Sequence, residues 1–239
     1  GLLARVYHYM GDPKAYTYAN EVIQALRDGY FRFTQENELS MNDKKKRDVI
    51  MQNEVLFALN YSGIHDLWYS YDASQNTAYE IDRASTLYPS GNDFRGQYLV
   101  IDGSRTSAKV SIKYADVKAE KGEKIPMIRM SEMFLIAAES GFDQDKENAI
   151  SLLEELRLNR GIGGEISSTI SAEKFREELT IEARREFLGE GQMFYWYKRL
   201  GVPVGLDEIE VSPATFCLPL PATEVEFGNR AEDYIKNLK

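Results

Sequence analysis

A single cysteine, Cys217, stands in the 239 residues, which excludes an intrachain disulfide and any cysteine-based zinc cage. Histidine is nearly as scarce. Only His8 and His65 occur, and neither lies in an H-x-x-x-H or H-x-x-E-H spacing that sets two metal ligands side by side. His8 reads as a helix-surface residue, and His65, beside Asp66 and Trp68, as a candidate ligand contact. No metal or cofactor is expected. No apolar run reaches the ~18 residues that cross a bilayer, and the first residues do not form a signal peptide. Positive charge is also short, with 29 Lys and Arg against 38 Asp and Glu, a net charge of −9. That balance argues against a nucleic-acid partner, which needs a basic footprint. The one basic cluster, Lys44-Lys45-Lys46-Arg47, is flanked by Asp43 and Asp48 and reads as a solvated loop. No G-x-S-x-G, P-loop or dinucleotide fingerprint is present. Gly161-Ile162-Gly163-Gly164 lacks the strand-turn-helix setting of a phosphate cradle and reads as a flexible helix terminator.

What is present is mostly helical pattern. Ile125 to Ser140, IPMIRMSEMFLIAAES, is almost wholly apolar, with Pro126 suited to a first helical turn and Met127, Met130, Phe134 and Ala138 at helical spacing. Arg129, Glu132 and Glu139 interrupt it, so the spacing predicts an internal helix whose charges pair or reach a rim. Leu2 to Tyr9 and Pro13 to Leu26 read as a helical hairpin turned at Gly11-Asp12, with Ala4, Ala15 and Ala19 at the close approaches. A second hairpin joins the Met127 to Ser140 helix to Asp145 to Asn159 across Gly141-Phe142, through Ala138, Ala149 and Leu153. Both are tetratricopeptide-like, although the tryptophan of that consensus is absent. The chain opens in mid-helix, so it is expected to begin within a longer protein and to expose Leu2, Leu3 and Val6. At 239 residues it can bury roughly 70 to 75% of the unfolded surface.

Residues 60 to 88 have a different texture, carrying Tyr61, Trp68, Tyr69, Tyr71, Tyr79 and Tyr88 among Ser, Asn, Asp and Gly. Two β-rich runs between Tyr98 and Tyr114 flank Asp102-Gly103-Ser104 and suit a hairpin. A helix from Ser171, with Phe175, Leu179, Ala183 and Phe187 at every fourth position, ends at Gly189 and Gly191. A short helix from Met193 to Leu200 follows, and its four consecutive aromatics cannot all face one way. Sugar rings pack their C–H faces on aromatic rings while their hydroxyls bond polar side chains. Trp68, Tyr69 and Tyr71 are therefore the candidate stacking residues, with Asn76, Gln75 and Arg83 as hydrogen-bonding partners; the alternative is that these aromatics glue the loop to the helices. Glycoside hydrolysis needs two carboxylates flanking the bond. Glu182 with Glu186 and Glu186 with Glu190 are each one turn apart, but beside Arg184 and Arg185 they read as structural ion pairs.

Four motifs occur in order: the Ile125 to Ser140 run, Leu156-Arg157-Leu158-Asn159-Arg160-Gly161, EARREFLGEGQMFYWYKRLG at Glu182 to Gly201, and FCLPLPATE at Phe216 to Glu224. Together they resemble the SusD/RagB family, whose signatures are an IRxAExxLixAEA helix, an IRxNRG helix end, an ERRxEFxGEGxRFxDLKRxG helix pair and an LPIPxxE strand. The match runs from about Gly1 to Asn229, over the C-terminal portion of the family's usual length. Ser131 stands where the family usually has Ala, Ala183 and Met193 where it often has Arg, and Trp196 where it often has Asp. These departures are expected to loosen the ion pairs around the GEG turn.

The resemblance implies a mainly α fold of tetratricopeptide-like helical hairpins with long loop and short β-hairpin insertions, in one domain over residues 1–239 that lacks the family's N-terminal part. It also implies a non-catalytic, cell-surface glycan-binding lipoprotein of a Bacteroidetes-type outer membrane, which delivers oligosaccharide to a SusC-like TonB-dependent transporter. Membrane contact would come only through a lipid anchor in the missing N-terminal part. The alternative is a helical-repeat interaction protein for a peptide or other non-glycan nutrient. An enzyme would require two carboxylates converging about 5 to 10 Å apart in a cleft.

Overall fold

The computed structural model describes residues 1–43, 46–61, 81, 83–102, 109–114, 124–202 and 212–217. The chain divides into two compact units, Gly1–Glu190 and Gly191–Lys239. The first is built on two helical hairpins. Helix α1 (Leu2–Met10) ends at Gly11, whose φ of 70° caps it in the left-handed region, and α2 (Lys14–Arg27) returns along it. Ala4, Ala15 and Ala19 are fully buried at this contact, as the spacing predicts. Beyond the small α3 (Glu36–Leu39) and the inserted segments, the second hairpin pairs α6 (Met130–Gly141) with α7 (Lys146–Leu158). Ala138, Ala149 and Leu153 are fully buried there. Ten of the twelve residues of α6 are buried, the all-round burial expected of a helix enclosed by others. Helices α2, α7 and α8 (Ala172–Glu186) all pack on it. At Gly141 an added Cβ would lie 2.5 Å from the Tyr16 ring, so glycine is what lets α2 approach. Ser171 caps α8, accepting from Lys174 N, and Phe175 stacks on Phe142 at 4.6 Å.

The apolar run before α6 is not helical up to Ile125 as the spacing predicts. Lys124–Arg129 form strand β4, paired antiparallel with β1 (Val55–Asn60), with Ala58 opposite Pro126 and Val55 opposite Arg129. A proline tolerates this place because, among the described residues, the sheet has two strands and both are edges. The helix starts only at Met130, after Arg129 takes an extended φ of −121°. The two expected strands between Tyr98 and Tyr114 are present and pair antiparallel, β2 (Val100–Asp102) against β3 (Lys109–Ser111); the expected turn at Gly103-Ser104 lies outside the described residues. They follow two short helices, α4 (Ala84–Leu87) and α5 (Phe94–Tyr98). Leu39, Val49, Ile50, Met51, Leu99, Ile112 and Tyr114 form a smaller core beneath these insertions, with Phe94, Tyr98 and Ile125 packed against it.

Two further readings are corrected. His8 is buried, not on the surface, because Glu139 of α6 lies over it with Oε2 at 2.9 Å from Nε2. Gly161 ends α7 but is wedged: a Cβ there would sit 2.2 Å from Asn92 O, and its φ is 79°. The outer side of α1 is exposed as expected at Leu2, Leu3 and Val6, and Tyr9 and Met10 complete a stripe about 120° wide at 100° per residue. In the second unit α9 (Met193–Leu200) buries Trp196 and Tyr197 and leaves Phe194 and Tyr195 exposed. Arg199 lies over the Trp196 ring, 5.2 Å from its centroid. Phe194 meets Phe216 at 5.6 Å.

Ser131, one of the departures from the family pattern, is fully buried in α6, and its Oγ finds no hydrogen-bond partner among the described residues. Removing an unsatisfied buried hydroxyl recovers its desolvation cost. Ser131→Ala is expected to stabilise the protein by about 1 kcal/mol in urea unfolding. A destabilised Ser131→Ala protein would show that the hydroxyl is satisfied.

Candidate functional site

Helix α8 places Glu182 and Glu186 one turn apart on its buried face, and the turn at Gly189 and Gly191, with φ of 76° and 72°, folds Glu190 back beside them. Around these carboxylates the fold collects cations from four other places. Glu186 Oε1 accepts from Arg129 Nη1 at 2.5 Å and Arg160 Nη2 at 2.8 Å, while its Oε2 accepts from Arg95 Nη1 at 2.8 Å and Arg160 Nε at 3.0 Å. Arg160 also forks onto both oxygens of Glu54, at 2.9 and 2.6 Å. Arg95 forks onto Asp93 at 3.0 and 2.9 Å and lies 2.7 Å from Glu182 Oε1. Arg157 Nε donates to Glu182 Oε2 at 3.0 Å. Arg129 Nη2 donates to Glu190 at 2.7 Å, and Lys113 Nζ donates to the same carboxylate and to Glu186 O at 3.0 Å.

Burial alone would raise the carboxyl pKa of Glu186, but Arg160 and Arg129 outweigh it and hold it well below the ordinary 4.5; Arg95 and Arg157 do the same, less strongly, for Glu182. Burial would lower Arg129, and Glu190 and Glu186 more than reverse it. Lys113 goes the other way, since burial depresses its ammonium more than Glu190 restores it. A carboxylate held ionised between guanidinium groups cannot serve as a general acid near neutrality. The Glu182, Glu186 and Glu190 pairs are structural, as the sequence suggests. Arg184, however, is not in the network: it is half-buried and makes no ion pair among the described residues, and Arg185 and Arg157 serve instead. Nor is the network loosened around the GEG turn, where Glu190 joins Arg129 and Lys113. Glu132 pairs with Arg5 of α1 at 2.5 Å. Its pKa is raised by burial despite that partner.

Beside the cluster lies a cavity lined by Met51, Tyr88, Arg95, Ser111, Lys113 and Arg185, with about 10 Å³ in which a water centre can sit. That is room for roughly one water, not a sugar. Among the described residues no group of three or more metal-ligating side chains gathers, and no helix is long and apolar enough to cross a membrane.

Of the candidate ligand residues, Trp68, Tyr69, Tyr71 and Asn76, with His65 and Gln75, lie outside the described residues; Arg83 lies within them. β1 delivers Tyr61, 46% exposed, from Asn60 opposite Lys124, and Ile81 N donates to Lys109 O of β3 at 2.7 Å. Arg83 is exposed at the start of α4 with φ of 47° and ψ of 48°. This left-handed conformation costs a non-glycine residue about 1 to 2 kcal/mol. Sequence reasoning did not single out Lys113, Arg95, Asp93 or Glu54, whose partners are remote in the chain.

Helical hairpins packed around one enclosed helix, with two antiparallel strand pairs inserted between them and a buried charge cluster, define a helical-repeat scaffold. The chain belongs to the SusD family, whose match covers residues 5–229. A SusD superfamily protein from Bacteroides thetaiotaomicron VPI-5482 shares 24% identity at a TM-score of 0.70, over 95% of this chain and 57% of its own. One from Bacteroides vulgatus ATCC 8482 shares 22% at 0.71, over 95% and 56%. Surface glycan-binding protein A from Bacteroides thetaiotaomicron, solved with laminarihexaose, shares 18% at 0.64, over 95% and 60%. The chain thus spans little more than half the length of these structures. A search of the curated proteins returns no match.

Arg129→Ala strands Glu186 and Glu190 in the interior and is expected to cost about 3 to 5 kcal/mol in urea unfolding. Arg184→Ala should stay within about 0.5 kcal/mol of wild type. An Arg129→Ala loss as small as that of Arg184→Ala would remove Arg129 from the network, and an Arg184→Ala loss as large as that of Arg129→Ala would place Arg184 in it. The stability contributed by Glu182 and Glu186, whose folded pKa values are depressed, is complete above 4.5 and is lost as pH falls through those values. Glu132, with a raised value, has the opposite sign just above 4.5. Scanning calorimetry from pH 7 to about 3 should therefore show a melting temperature level or slightly rising at first, then falling below about 4.5. An unchanged melting temperature at pH 3 would contradict the assignment.

Proposed function

We propose that this protein is a non-catalytic, cell-surface glycan-binding protein that captures an oligosaccharide at the external face of the outer membrane and delivers it to a SusC-like TonB-dependent transporter. The observation that carries the reading is membership of the SusD family together with a fold shared, over 95% of the chain, with a surface glycan-binding protein solved with laminarihexaose. Trp68, Tyr69 and Tyr71 supply stacking faces in this reading, and Asn76 and Arg83 bond sugar hydroxyls. The ionised state of Glu182 and Glu186 supports a binding role over hydrolysis, because the carboxylate pairs that a sequence reader would nominate are engaged by arginines. Selection is then physical: ring stacking and directed hydrogen bonds choose the glycan, and association with the transporter hands it over.

Stacking on aromatic faces is mainly apolar contact, so binding should survive raised salt, unlike binding to a polyanion. In calorimetric titration against neutral oligosaccharides, laminarihexaose among them, Trp68→Ala is expected to lose roughly 1 to 3 kcal/mol of affinity without loss of stability. An equally stable Trp68→Ala protein that binds as tightly as wild type would remove Trp68 from the site. Product formed on prolonged incubation with the bound glycan, and abolished by changing a carboxylate, would overturn the non-catalytic reading.

A further inference from the structure

Strand β1 presents large apolar side chains to solvent. Phe57, Leu59 and, just beyond the strand, Tyr61 are 53, 47 and 46% exposed, and the two-residue repeat of an extended chain puts them on one face. Among the described residues, nothing from Leu56 to Tyr61 makes a hydrogen bond or ring contact beyond the pairing with β4. β4 itself is engaged by α1, where Arg5 Nη2 donates to Met127 O at 2.5 Å and Gly1 sits beside Ile128. The outer edge of β1 is the open one, with a row of backbone donors and acceptors. Natural edges are commonly blunted by lysine, proline or an inward charge. Val55 to Tyr61, VLFALNY, contains none of these. The ladder with β4 shifts register on either side of Phe57, and from Ala58 to Asn60 it is regular.

The order of the side chains indicates what fits this edge. Antiparallel strands meet residue by residue in opposite directions, and the series aromatic, aliphatic, aromatic at 57, 59 and 61 reads the same both ways. The stripe is its own complement. We propose that β1 is the seam of a homodimer, pairing antiparallel with β1 of a second copy about a two-fold axis at Leu59 and joining the two sheets in the order β4-β1-β1-β4. Phe57 then faces the partner's Tyr61, and Leu59 faces the partner's Leu59. Aromatic pairs across a ladder are among the favourable cross-strand contacts. Charge points to the same occupant. The chain carries −9, so two copies repel over most approaches, and they can meet closely only through a neutral surface. VLFALNY is seven residues without a charge. A strand from an unrelated polypeptide would require no such symmetry. A seam of this length falls below the roughly 1,200 Å² of a stable interface, so the dimer is weak and forms as concentration rises. The inference is independent of the glycan reading.

The test is sedimentation velocity on the 239-residue chain from roughly 5 to 500 µM, the range in which a weak dimer dissociates and forms. A shift from monomer to dimer is expected, with amide hydrogen exchange from Phe57 to Tyr61 slowing as concentration rises. Leu59 meets itself at the axis. Leu59→Lys and Leu59→Glu therefore each bring like charges together and are expected to weaken association roughly a hundredfold. Mixing the two variants should restore it, because the introduced charges are then opposite. Leu59 is half exposed, so both variants should melt close to wild type. Leu3→Lys, on the exposed side of α1, is the control and should dimerise as wild type does. A wild-type chain that stays monomeric throughout overturns the proposal and leaves the edge to a different polypeptide. So does a dimer undiminished by Leu59→Lys, or one abolished by Leu3→Lys, which would put the contact on α1. Mixed variants that fail to associate overturn the two-fold axis at Leu59.

Discussion

The carboxylate of Glu186, accepting from three arginines in the interior, is the constraint on which the first unit is organised. Arg129 stands where β4 passes into α6, Arg160 at the end of α7, and Arg95 in α5 ahead of β2. Through Arg160 the network reaches Glu54, immediately before β1, and through Glu190 it reaches Lys113, just after β3. Each of the four strands therefore has one end near the cluster. A buried network of this kind is poor evidence of stability in itself, because desolvating the charges offsets most of their attraction. Its worth lies in geometry. Guanidinium forks accept few arrangements, and each misplaced element would strand a charge at several kcal/mol, an order of magnitude set by removing one partner of a buried pair. Packing of small residues between helices tolerates sliding by comparison. Ala4, Ala15 and Ala19 permit close approach in the first hairpin, but nothing in three methyl groups sets where β1 must begin.

The helical part of this fold was legible because it obeys local rules. The alanines of the hairpins, the cap at Ser171 and the glycines after α8 each act within a few residues of their neighbours, so periodicity and turn chemistry locate them. The boundary before α6 failed for the converse reason. Ile125 to Met130 satisfies a helical period as well as a strand, and only pairing with β1, about seventy positions away at Val55 opposite Arg129, decides between them. The burial of His8 is non-local likewise, since it depends on Glu139 of α6. Arg184 and Arg185 are adjacent on α8, and the sequence offers no means of telling which one faces Leu87 and Glu182. Of the candidate site, the sequence nominated aromatics by composition and Arg83 by chemistry; it carried no sign of the left-handed backbone at Arg83 or of the bond from Ile81 N to Lys109 O beside it.

The motifs that identify the family and the residues proposed to meet the ligand are different sets, and the cluster explains why. Arg129 lies in the first motif, Arg160 in the second, and Glu182, Glu186 and Glu190 in the third; all five are network members. What the motifs preserve is therefore the mutual placement of helices and insertions. The candidate contacts from Trp68 to Arg83 fall in none of the four motifs. A scaffold whose register is fixed by buried charge can carry different side chains on its inserted segments without disturbing the fold, the usual relation between rigid framework and functional loop. A fold shared at TM-scores of 0.64 to 0.71 with identities of only 18 to 24% is compatible with few positions fixing the mutual placement of the elements.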